Sequence, residues 1–213
     1  MNRTNPHTDS QVKQALILVD IQNDFCPGGA LAVRNGNEVI AVANRLAWEF
    51  VSAGDLVVAT RDLHPADHGS FASQAGAEVG ELGCLGGVEQ VFWPDHCVAG
   101  TEGADYPDDL RTDLIVREFV KGTDPGIDSY SGFFDNDHTT STGLAEYLRE
   151  HKVTAVTIVG LATDYCVAAT ARDAQAEGFQ TTVVADGCRA VDISPGDGER
   201  ALAELESIGI AVI

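Results

Sequence analysis

The chain has 213 residues, enough for one domain with a sizeable core, and 44% of them are hydrophobic. It carries 13 basic and 33 acidic residues, and this net charge of −20 argues against nucleic acid or an anionic membrane surface as a partner. The polar first fourteen residues do not read as a signal peptide, and no apolar run reaches membrane-spanning length, so a cytoplasmic location is expected.

Apolar runs and helical spacing divide the chain into a loose tail at residues 1–14 and one domain at 15–213. In chain order the predicted elements are strand 15–19, helix 36–52, strand 56–60, strand 114–120, helix 142–152, strand 155–159, a helix from 163 to about 177, strand 180–185, helix 195–208 and strand 210–213. This alternation predicts an α/β fold, a doubly wound and mostly parallel six-stranded sheet with helices on both faces.

Residues 61–112 form a long excursion without a clear periodic pattern. The excursion holds eight of the 22 glycines, three of the six histidines, three of the seven prolines and two of the five cysteines. A connection of this length inside a compact domain is usually functional.

Four chemically reactive side chains follow predicted strands. Asp20 ends the first strand, Asp62 follows the second, Lys121 ends the third, and Cys166 follows the fourth. Ligands of open α/β sheets bind at the carboxyl ends of strands. We therefore expect these side chains to meet at one edge of the sheet.

Cys166 is predicted to open a helix. Thr163 is a suitable N-cap, and Cys166 would then occupy the third helical position. Unpaired N–H groups at a helix N-terminus lower the pKa of a thiol and can hold an oxyanion, so the position favours a nucleophile. The alternative is an inert, packed cysteine, because cysteines are often buried.

The five cysteines are an odd number and contain no CxxC pair. In a chain of this size without an export signal, they are expected to be reduced thiols. Cys26, Cys84 and Cys188 show no partner pattern and receive no role.

Five segments carry a resemblance to a known family: ILVDIQNDFCPGG, ATRDLHPADHGSFAS, FWPDHCVAGTEGADY, VKGTDPGIDSYSGF and VGLATDYCVAATARDA. Together they resemble the nicotinamidases, also called pyrazinamidases, which belong to the isochorismatase-like cysteine hydrolases. The resemblance runs from about residue 15 to residue 213. The DxHP and WPDHC segments resemble the metal-binding nicotinamidase branch in particular.

The resemblance implies a catalytic triad of Asp20, Lys121 and Cys166. Asp20 would act as the base towards the thiol, Lys121 would stabilise and position this pair, and Cys166 would attack a carboxamide carbon. The backbone N–H groups of Ala162 and Cys166 would form the oxyanion hole. The resemblance also implies a cis peptide bond between Leu161 and Ala162.

A metal site is implied in the same way. Asp62, His64 and His96 would hold one divalent ion, for which Zn²⁺, Fe²⁺ and Mn²⁺ are candidates. His68 is a further candidate ligand, because it is one in some relatives. In the family the ion binds the ring nitrogen of the substrate. Cys97 beside His96 is interpreted as a packing residue.

The resemblance implies hydrolysis of nicotinamide, and of pyrazinamide, within NAD salvage. Phe25 and Trp93 stand at the positions that enclose the substrate ring, and Tyr130 is a third candidate. Phe119 and Phe179 are interpreted as ordinary core aromatics.

Two other functions remain open on the sequence. An isochorismatase or an N-carbamoylsarcosine amidase would share the scaffold, but neither resemblance predicts Asp62, His64 and His96 together. A binding relative without chemistry would be expected to lack a member of the triad, and none is missing. The sequence leaves open the identity of the metal, and whether the protein is a monomer or a homo-oligomer.

Overall fold

A computed structural model describes residues 13–213 of the chain. The strands of this range are β1 (Lys13–Val19), β2 (Leu56–Asp62), β3 (Leu82–Leu85), β4 (Val88–Val91), β5 (Arg117–Lys121), β6 (Val153–Leu161), β7 (Gln180–Arg189) and β8 (Ala211–Val212). The α-helices are α1 (Val39–Ala53), α2 (Ala72–Ala75), α3 (Leu144–Glu150), α4 (Ala168–Ala176) and α5 (Asp197–Ser207).

Six strands form one sheet in the order β5-β2-β1-β6-β7-β8, and each neighbouring pair is parallel. The predicted six-stranded, doubly wound α/β fold is therefore confirmed. Among the described residues, no helix is both long enough and apolar enough to cross a membrane.

Two hydrophobic cores lie on opposite faces of the sheet, as the alternation along β1 requires. Ile17 and Val19 point to the face covered by α3, α4 and α5, whereas Leu16 and Leu18 point to the face covered by α1. The apolar run at residues 15–19 of β1 is explained by its place inside the sheet, with β2 on one side and β6 on the other.

Several element boundaries differ from the prediction. Strand β1 starts at Lys13 because Lys13 and Gln14 still pair with β6, so these two residues are not part of a loose tail. The remaining residues of the predicted tail, 1–12, lie outside the described residues. Strand β5 starts at Arg117 rather than at residue 114, because residues 112–114 form a 3₁₀ turn. Strand β7 continues to Arg189.

The excursion is more regular than predicted. It contains the short helix α2 and an antiparallel hairpin of β3 and β4. The hairpin turn is formed by Gly86 and Gly87, whose φ angles are +60° and +85°. Two consecutive residues with positive φ are typical of a type I′ hairpin turn, for which a Gly-Gly pair is well suited. This signal is visible in the sequence and was missed.

Candidate active site

The topology of the sheet brings the four predicted side chains together. Strands β5, β2, β1 and β6 are consecutive neighbours, and their carboxyl ends carry Lys121, Asp62, Asp20 and the turn that contains Cys166. Asp62 and Lys121 are direct partners in the β2–β5 pairing. The predicted gathering of these residues at one edge is confirmed by the geometry.

Lys121 is the centre of this group and is almost completely buried. Its Nζ lies 2.9 Å from Asp20 Oδ2 and makes a short hydrogen bond to Asp62 Oδ1. The same ammonium donates to the Ser129 carbonyl oxygen at 2.8 Å and lies 3.6 Å from Cys166 Sγ. One cation thus connects two carboxylates with the thiol.

Asp20 is held in a tight turn with φ +48° immediately after β1. Its Oδ1 accepts a hydrogen bond from the Thr60 hydroxyl at 2.7 Å. Its buried Oδ2 has no aligned hydrogen-bond donor among the described residues, although the Lys121 ammonium is close. A carboxyl oxygen of Asp20 lies within 4.8 Å of Cys166 Sγ, so Asp20 has an oxygen available for the thiol proton.

Cys166 lies in a turn of π-helix at Thr163–Val167, directly before α4. The N-cap of this turn is Ala162 rather than Thr163, and Thr163 is already helical, so the predicted capping role of Thr163 is wrong. π-Turns often occur at functional sites because the wider turn reorients side chains. The peptide bond between Leu161 and Ala162 is cis, as the resemblance implied.

The electrostatics of Cys166 differ from the sequence expectation. Burial, together with the nearby Asp20 and Asp62 carboxylates, outweighs the Lys121 ammonium and raises the pKa of the thiol well above its ordinary value. Burial likewise raises the pKa of Asp20. Burial opposes the charge of Lys121, but the two carboxylates prevail and raise the pKa of its ammonium. The free site therefore holds a neutral thiol beside a charged lysine, and not the thiolate predicted from the helix N-terminus alone.

This raised pKa predicts how alkylation of Cys166 depends on pH. Only the thiolate reacts with iodoacetamide, and below its pKa the thiolate fraction rises about tenfold per pH unit. We expect the alkylation rate of Cys166 to keep rising through pH 9, measured by peptide mapping that separates it from the exposed Cys84. A rate that reaches a plateau below pH 8 would show a stabilised thiolate and contradict this assignment.

Asp62, His64 and His96 form a compact set of buried ligand atoms. Asp62 Oδ2 lies 3.7 Å from His64 Nε2 and 3.9 Å from His96 Nε2. Nδ1 of His64 faces the Gly122 carbonyl oxygen at 2.7 Å, and Nδ1 of His96 faces the Pro94 carbonyl oxygen at 2.8 Å. Each Nδ1 must therefore carry the proton of the neutral ring, which leaves Nε2 with a lone pair.

Three lone pairs thus face one another at spacings too long for hydrogen bonds. With both rings neutral, such a set of acceptors suits a bound cation, and one carboxylate with two imidazoles is a donor set typical of Zn²⁺, Fe²⁺ or Mn²⁺. Burial lowers the pKa of His96 to about 4, which keeps this ring neutral at physiological pH. The residues present fit a divalent metal ion.

At His64 and Asp62, burial is outweighed by oppositely charged neighbours, and these neighbours set the direction of each pKa shift, whereas at His96 burial itself sets the direction of the pKa shift. Burial opposes the charge of His64, but the adjacent Asp62 carboxylate raises the pKa of the ring. Burial also opposes the charge of Asp62, yet Lys121 and the two histidines lower the pKa of its carboxyl. Asp62 is therefore ionised and carries the negative charge of the ligand set.

Glycine is required at position 122 for this arrangement. Gly122 has φ +64°, and a Cβ atom there would lie 2.3 Å from the His64 ring. A larger residue would displace the imidazole that the Gly122 carbonyl orients.

His68 lies next to this set but is oriented differently. Its ring centroid is 4.3 Å from that of His64, and it groups with His64 and Asp128 rather than with Asp62 and His96. Its Nδ1 lies 2.7 Å from the Ser70 hydroxyl and 3.2 Å from the Ser70 N–H, and its buried Nε2 has no hydrogen-bond partner among the described residues. A proton on Nδ1 that is donated to the Ser70 hydroxyl would leave Nε2 with a lone pair, so His68 stays a candidate ligand.

Cys166 lines one narrow cleft together with Asp62 and His96 of the metal-ligand set, and the cleft with the open solvent at its mouth has a volume of about 350 Å³. The predicted ring-binding residues Phe25, Trp93 and Tyr130 all line it. Trp93 Nε1 donates to the Tyr130 hydroxyl at 3.2 Å, and Phe25 packs against His96 with ring centroids 5.6 Å apart. The aromatic walls therefore contact the ligand set directly.

Sequence reasoning missed four residues that line the cleft: Leu31, Asp128, Tyr165 and Val191. Tyr165 stands immediately before Cys166, and its ring lies 4.8 Å from Trp93 in an edge-to-face arrangement. An aromatic residue beside the nucleophile is a signal that the sequence contained. Leu31 and Val191 come from loops, whose approach to the cleft has no local sequence signal.

Cys97 contributes packing, in agreement with its interpretation. It is fully buried, and its N–H donates to Asp24 Oδ2 at 2.6 Å. All five cysteines are free thiols, as predicted.

Comparisons with known proteins agree with this geometry. Residues 14–213 match the model of the isochorismatase domain, and the chain therefore belongs to the isochorismatase family of α/β proteins. Within this family, the chain is 49% identical to the nicotinamidase of Escherichia coli (strain K12), over 92% of each chain. The resemblance to nicotinamidases is confirmed.

Two solved structures are closely similar. The nicotinamidase/pyrazinamidase of Acinetobacter baumanii superposes with a TM-score of 0.90 at 41% identity, covering 96% of this chain and 97% of that one. The pyrazinamidase of Pyrococcus horikoshii, solved in complex with zinc, superposes with a TM-score of 0.78 at 40% identity, covering 94% of this chain and 98% of that one.

Proposed function

We propose that this protein is an amidase that hydrolyses nicotinamide, and also pyrazinamide, to the corresponding acid and ammonia through a cysteine thioester. The observation that carries the proposal is that a buried thiol lines one aromatic cleft together with Asp62 and His96, two of the three convergent metal ligands. A flat ring with a nitrogen on one side and a carboxamide on the other fits this cleft, because its nitrogen can face the metal site while its carboxamide faces the thiol.

The aromatic walls explain how such a ring would be held. Phe25, Trp93 and Tyr130 present ring faces and edges to the cleft, and most of their surface is removed from water. Aromatic pairs of this kind stabilise a bound ring by about 0.5–1.5 kcal/mol beyond the burial of area. They would also hold the carboxamide at a fixed distance from Cys166.

Asp62, His64 and His96 would hold one divalent ion, with zinc favoured by the zinc-bound relative and iron and manganese as alternatives. When bound, the ion supplies a coordination position for the ring nitrogen and so orients the substrate. The chain's own contribution is to fix the two Nε2 lone pairs and the ionised Asp62 carboxylate around one point. His68 would ligate in addition through Nε2, with its proton on Nδ1 facing the Ser70 hydroxyl.

The first chemical step uses the neutral thiol. Asp20 Oδ2 accepts the proton of Cys166 as the sulfur forms a bond with the carboxamide carbon, and the electron pair of the carbonyl moves to its oxygen. The N–H groups of Ala162 and Cys166 would hold this oxyanion. Lys121 stays charged and stabilises the anionic species that form beside it.

The second step releases ammonia and restores the enzyme. The protonated Asp20 gives its proton to the leaving nitrogen while the C–N bond breaks, which leaves a thioester on Cys166. Asp20 then takes a proton from water, the hydroxide attacks the thioester carbon, and the C–S bond breaks. The proton returns to the sulfur, so each atom of the substrate and of water appears in the acid and ammonia.

We propose that this reaction serves NAD salvage in the cytoplasm. The free state of all five thiols supports a reducing compartment. The chain would act on its small-molecule substrate either alone or as a homo-oligomer.

Replacing Trp93 with alanine tests the ring wall. We expect KM for nicotinamide to rise about tenfold, because an aromatic contact worth about 1.4 kcal/mol is removed. The value of kcat should also fall, since a loosely held ring misplaces the carboxamide. Trp48, the other tryptophan of the chain, is 60% exposed, so Trp48→Ala is the matched control and should leave both constants unchanged. Unaltered kinetics in folded Trp93→Ala would remove Trp93 from the binding site.

The substrate proposal is tested by comparing ammonia release from nicotinamide and pyrazinamide with turnover of isochorismate and of N-carbamoylsarcosine. We expect the two aromatic amides to be preferred by several orders of magnitude, with one equivalent of metal in the active sample. Preference for either rival substrate would replace the proposed activity with that of the rival family member.

A further inference from the structure

Gln22 lies two residues beyond Asp20, and its side chain is completely buried. Its amide Nε2 donates to the Asp62 carbonyl oxygen at 2.8 Å and to the Ala104 carbonyl oxygen at 2.9 Å, and its Oε1 accepts the Asp62 N–H at 2.8 Å. The amide nitrogen thus faces two acceptors and the amide oxygen faces a donor, which fixes the orientation of the amide. The side chain pairs with both backbone polar groups of Asp62.

This pairing continues the β1–β2 ladder beyond the point where the main chains separate. The last paired residues of the two strands are Val19 and Thr60. At Asp20 the chain turns sharply, with φ +48° and a hydrogen bond of 2.9 Å from the Gln22 N–H to the Asp20 carbonyl oxygen. The main chain of β1 therefore cannot pair with Asp62, and the Gln22 amide takes the place of the missing peptide group.

A small displacement of Asp62 would disturb both the thiol triad and the metal-ligand set. Its Oδ1 contacts the Lys121 ammonium of the triad, and its Oδ2 faces the two histidine Nε2 atoms of the metal-ligand set. The position of one carboxylate therefore decides the geometry of both groups.

We propose that Gln22 is a positioning residue that fixes Asp62 relative to Asp20 and thereby couples the metal-ligand set to the thiol triad. The proposal rests on the proposed function in so far as a metal ion is bound by Asp62. The hydrogen bond from Gln22 Nε2 to the Ala104 carbonyl oxygen also connects the excursion (residues 61–112) to the backbone of Asp62. Gln22 touches no reacting atom and acts through Asp62.

The test compares Gln22→Met with Asn23→Ala. Methionine matches glutamine in size but leaves the Asp62 N–H and carbonyl group unpaired, whereas the Asn23 side chain donates to the Glu102 carbonyl oxygen and does not contact Asp62. We measure the Zn²⁺ dissociation constant by competition with a chelator, kcat and KM for nicotinamide at saturating zinc, and the alkylation rate of Cys166. If Gln22→Met does not fold, Gln22→Asn replaces it, because its amide is one methylene too short to reach Asp62.

We expect Gln22→Met to weaken Zn²⁺ binding by about 10–100-fold, the usual effect of losing a group that orients a metal ligand. The value of kcat should fall even at saturating zinc, because Lys121 loses its fixed partner, and Asn23→Ala should change neither quantity. Zinc affinity and kcat equal to those of the unaltered protein would overturn the proposal, whatever happens to thermal stability.

These measurements separate the proposal from the substrate assignment. If the unaltered protein binds Zn²⁺ but leaves nicotinamide intact, the proposed function fails, and the zinc affinity of Gln22→Met still decides the role of Gln22. If the unaltered protein binds no Zn²⁺, the alkylation rate of Cys166 tests the role of Gln22. The proposal then requires this rate to change in Gln22→Met and to stay unchanged in Asn23→Ala. An unchanged rate would then overturn the proposal.

Discussion

Replacing Cys166 with alanine is expected to lower kcat for nicotinamide hydrolysis by a factor of at least about 10⁴, the scale of loss when a covalent nucleophile is removed. Cys166 is the cysteine that lines the cleft and lies 3.6 Å from Lys121 Nζ. The thiol is small, and the side chain of alanine fits the same space, so the fold and the zinc content should be retained. Ammonia release, circular dichroism and metal analysis on one sample check this result.

Cys188→Ala is the control, because Cys188 is similarly buried, its thiol donates to the Val184 carbonyl oxygen at 3.4 Å, and it does not line the cleft. Asp20→Asn should cause a loss of similar size, since the thiol pKa is raised and the other nearby carboxylate, Asp62, is engaged by Lys121 and faces the two histidines. Because the residues act as a unit, Asp20→Asn combined with Cys166→Ala should be little worse than either change alone. A strictly multiplicative loss would show that Asp20 and Cys166 act independently.

Replacing His96 with alanine is expected to weaken Zn²⁺ binding more than about 100-fold, beyond the effect of losing an outer-shell partner. One of three convergent lone pairs is removed, and the remaining pair of ligands cannot enclose the ion. Hydrolysis of nicotinamide should fall with the bound metal, and chelation of the unaltered protein should give the same loss, reversed by added Zn²⁺, Fe²⁺ or Mn²⁺. Metal content and activity are measured together.

His138→Ala is the matched control for this experiment, because the His138 side chain is largely exposed and lies away from the ligand set. It should leave the metal content and the activity unchanged. Full activity of the unaltered protein after complete removal of metal would contradict the proposed role of Asp62, His64 and His96.

Much of the fold could be predicted from the sequence alone, because most strands of the main sheet contain nearly continuous apolar runs and the helices carry apolar residues at helical spacing. Asp20, Asp62 and Lys121 could be placed at one edge because each follows or ends such a run, and parallel strands share their carboxyl edge. The hairpin of β3 and β4 was missed although Gly86 and Gly87 signal its turn. The short strands beside that turn are half-exposed and lack an apolar run.

The electrostatics of the site could not be predicted from local sequence. The helix N-terminus near Cys166 suggested a lowered thiol pKa, but burial and two carboxylates from β1 and β2 raise it. These groups are distant in sequence and meet only through the order of the strands. Gln22 shows the same limit, since its partner Asp62 is 40 residues away. Nothing in the local pattern of Gln22 distinguishes it from an ordinary loop residue.

The most direct test of the mechanism is to trap the thioester. The protein is mixed with excess nicotinamide, quenched in acid within one turnover, digested, and analysed by mass spectrometry. The account predicts one nicotinoyl group on the peptide that contains Cys166, and its absence from Cys166→Ala. A nicotinoyl group on Cys26, Cys84, Cys97 or Cys188, or steady turnover with no acylated peptide at any time, would contradict it.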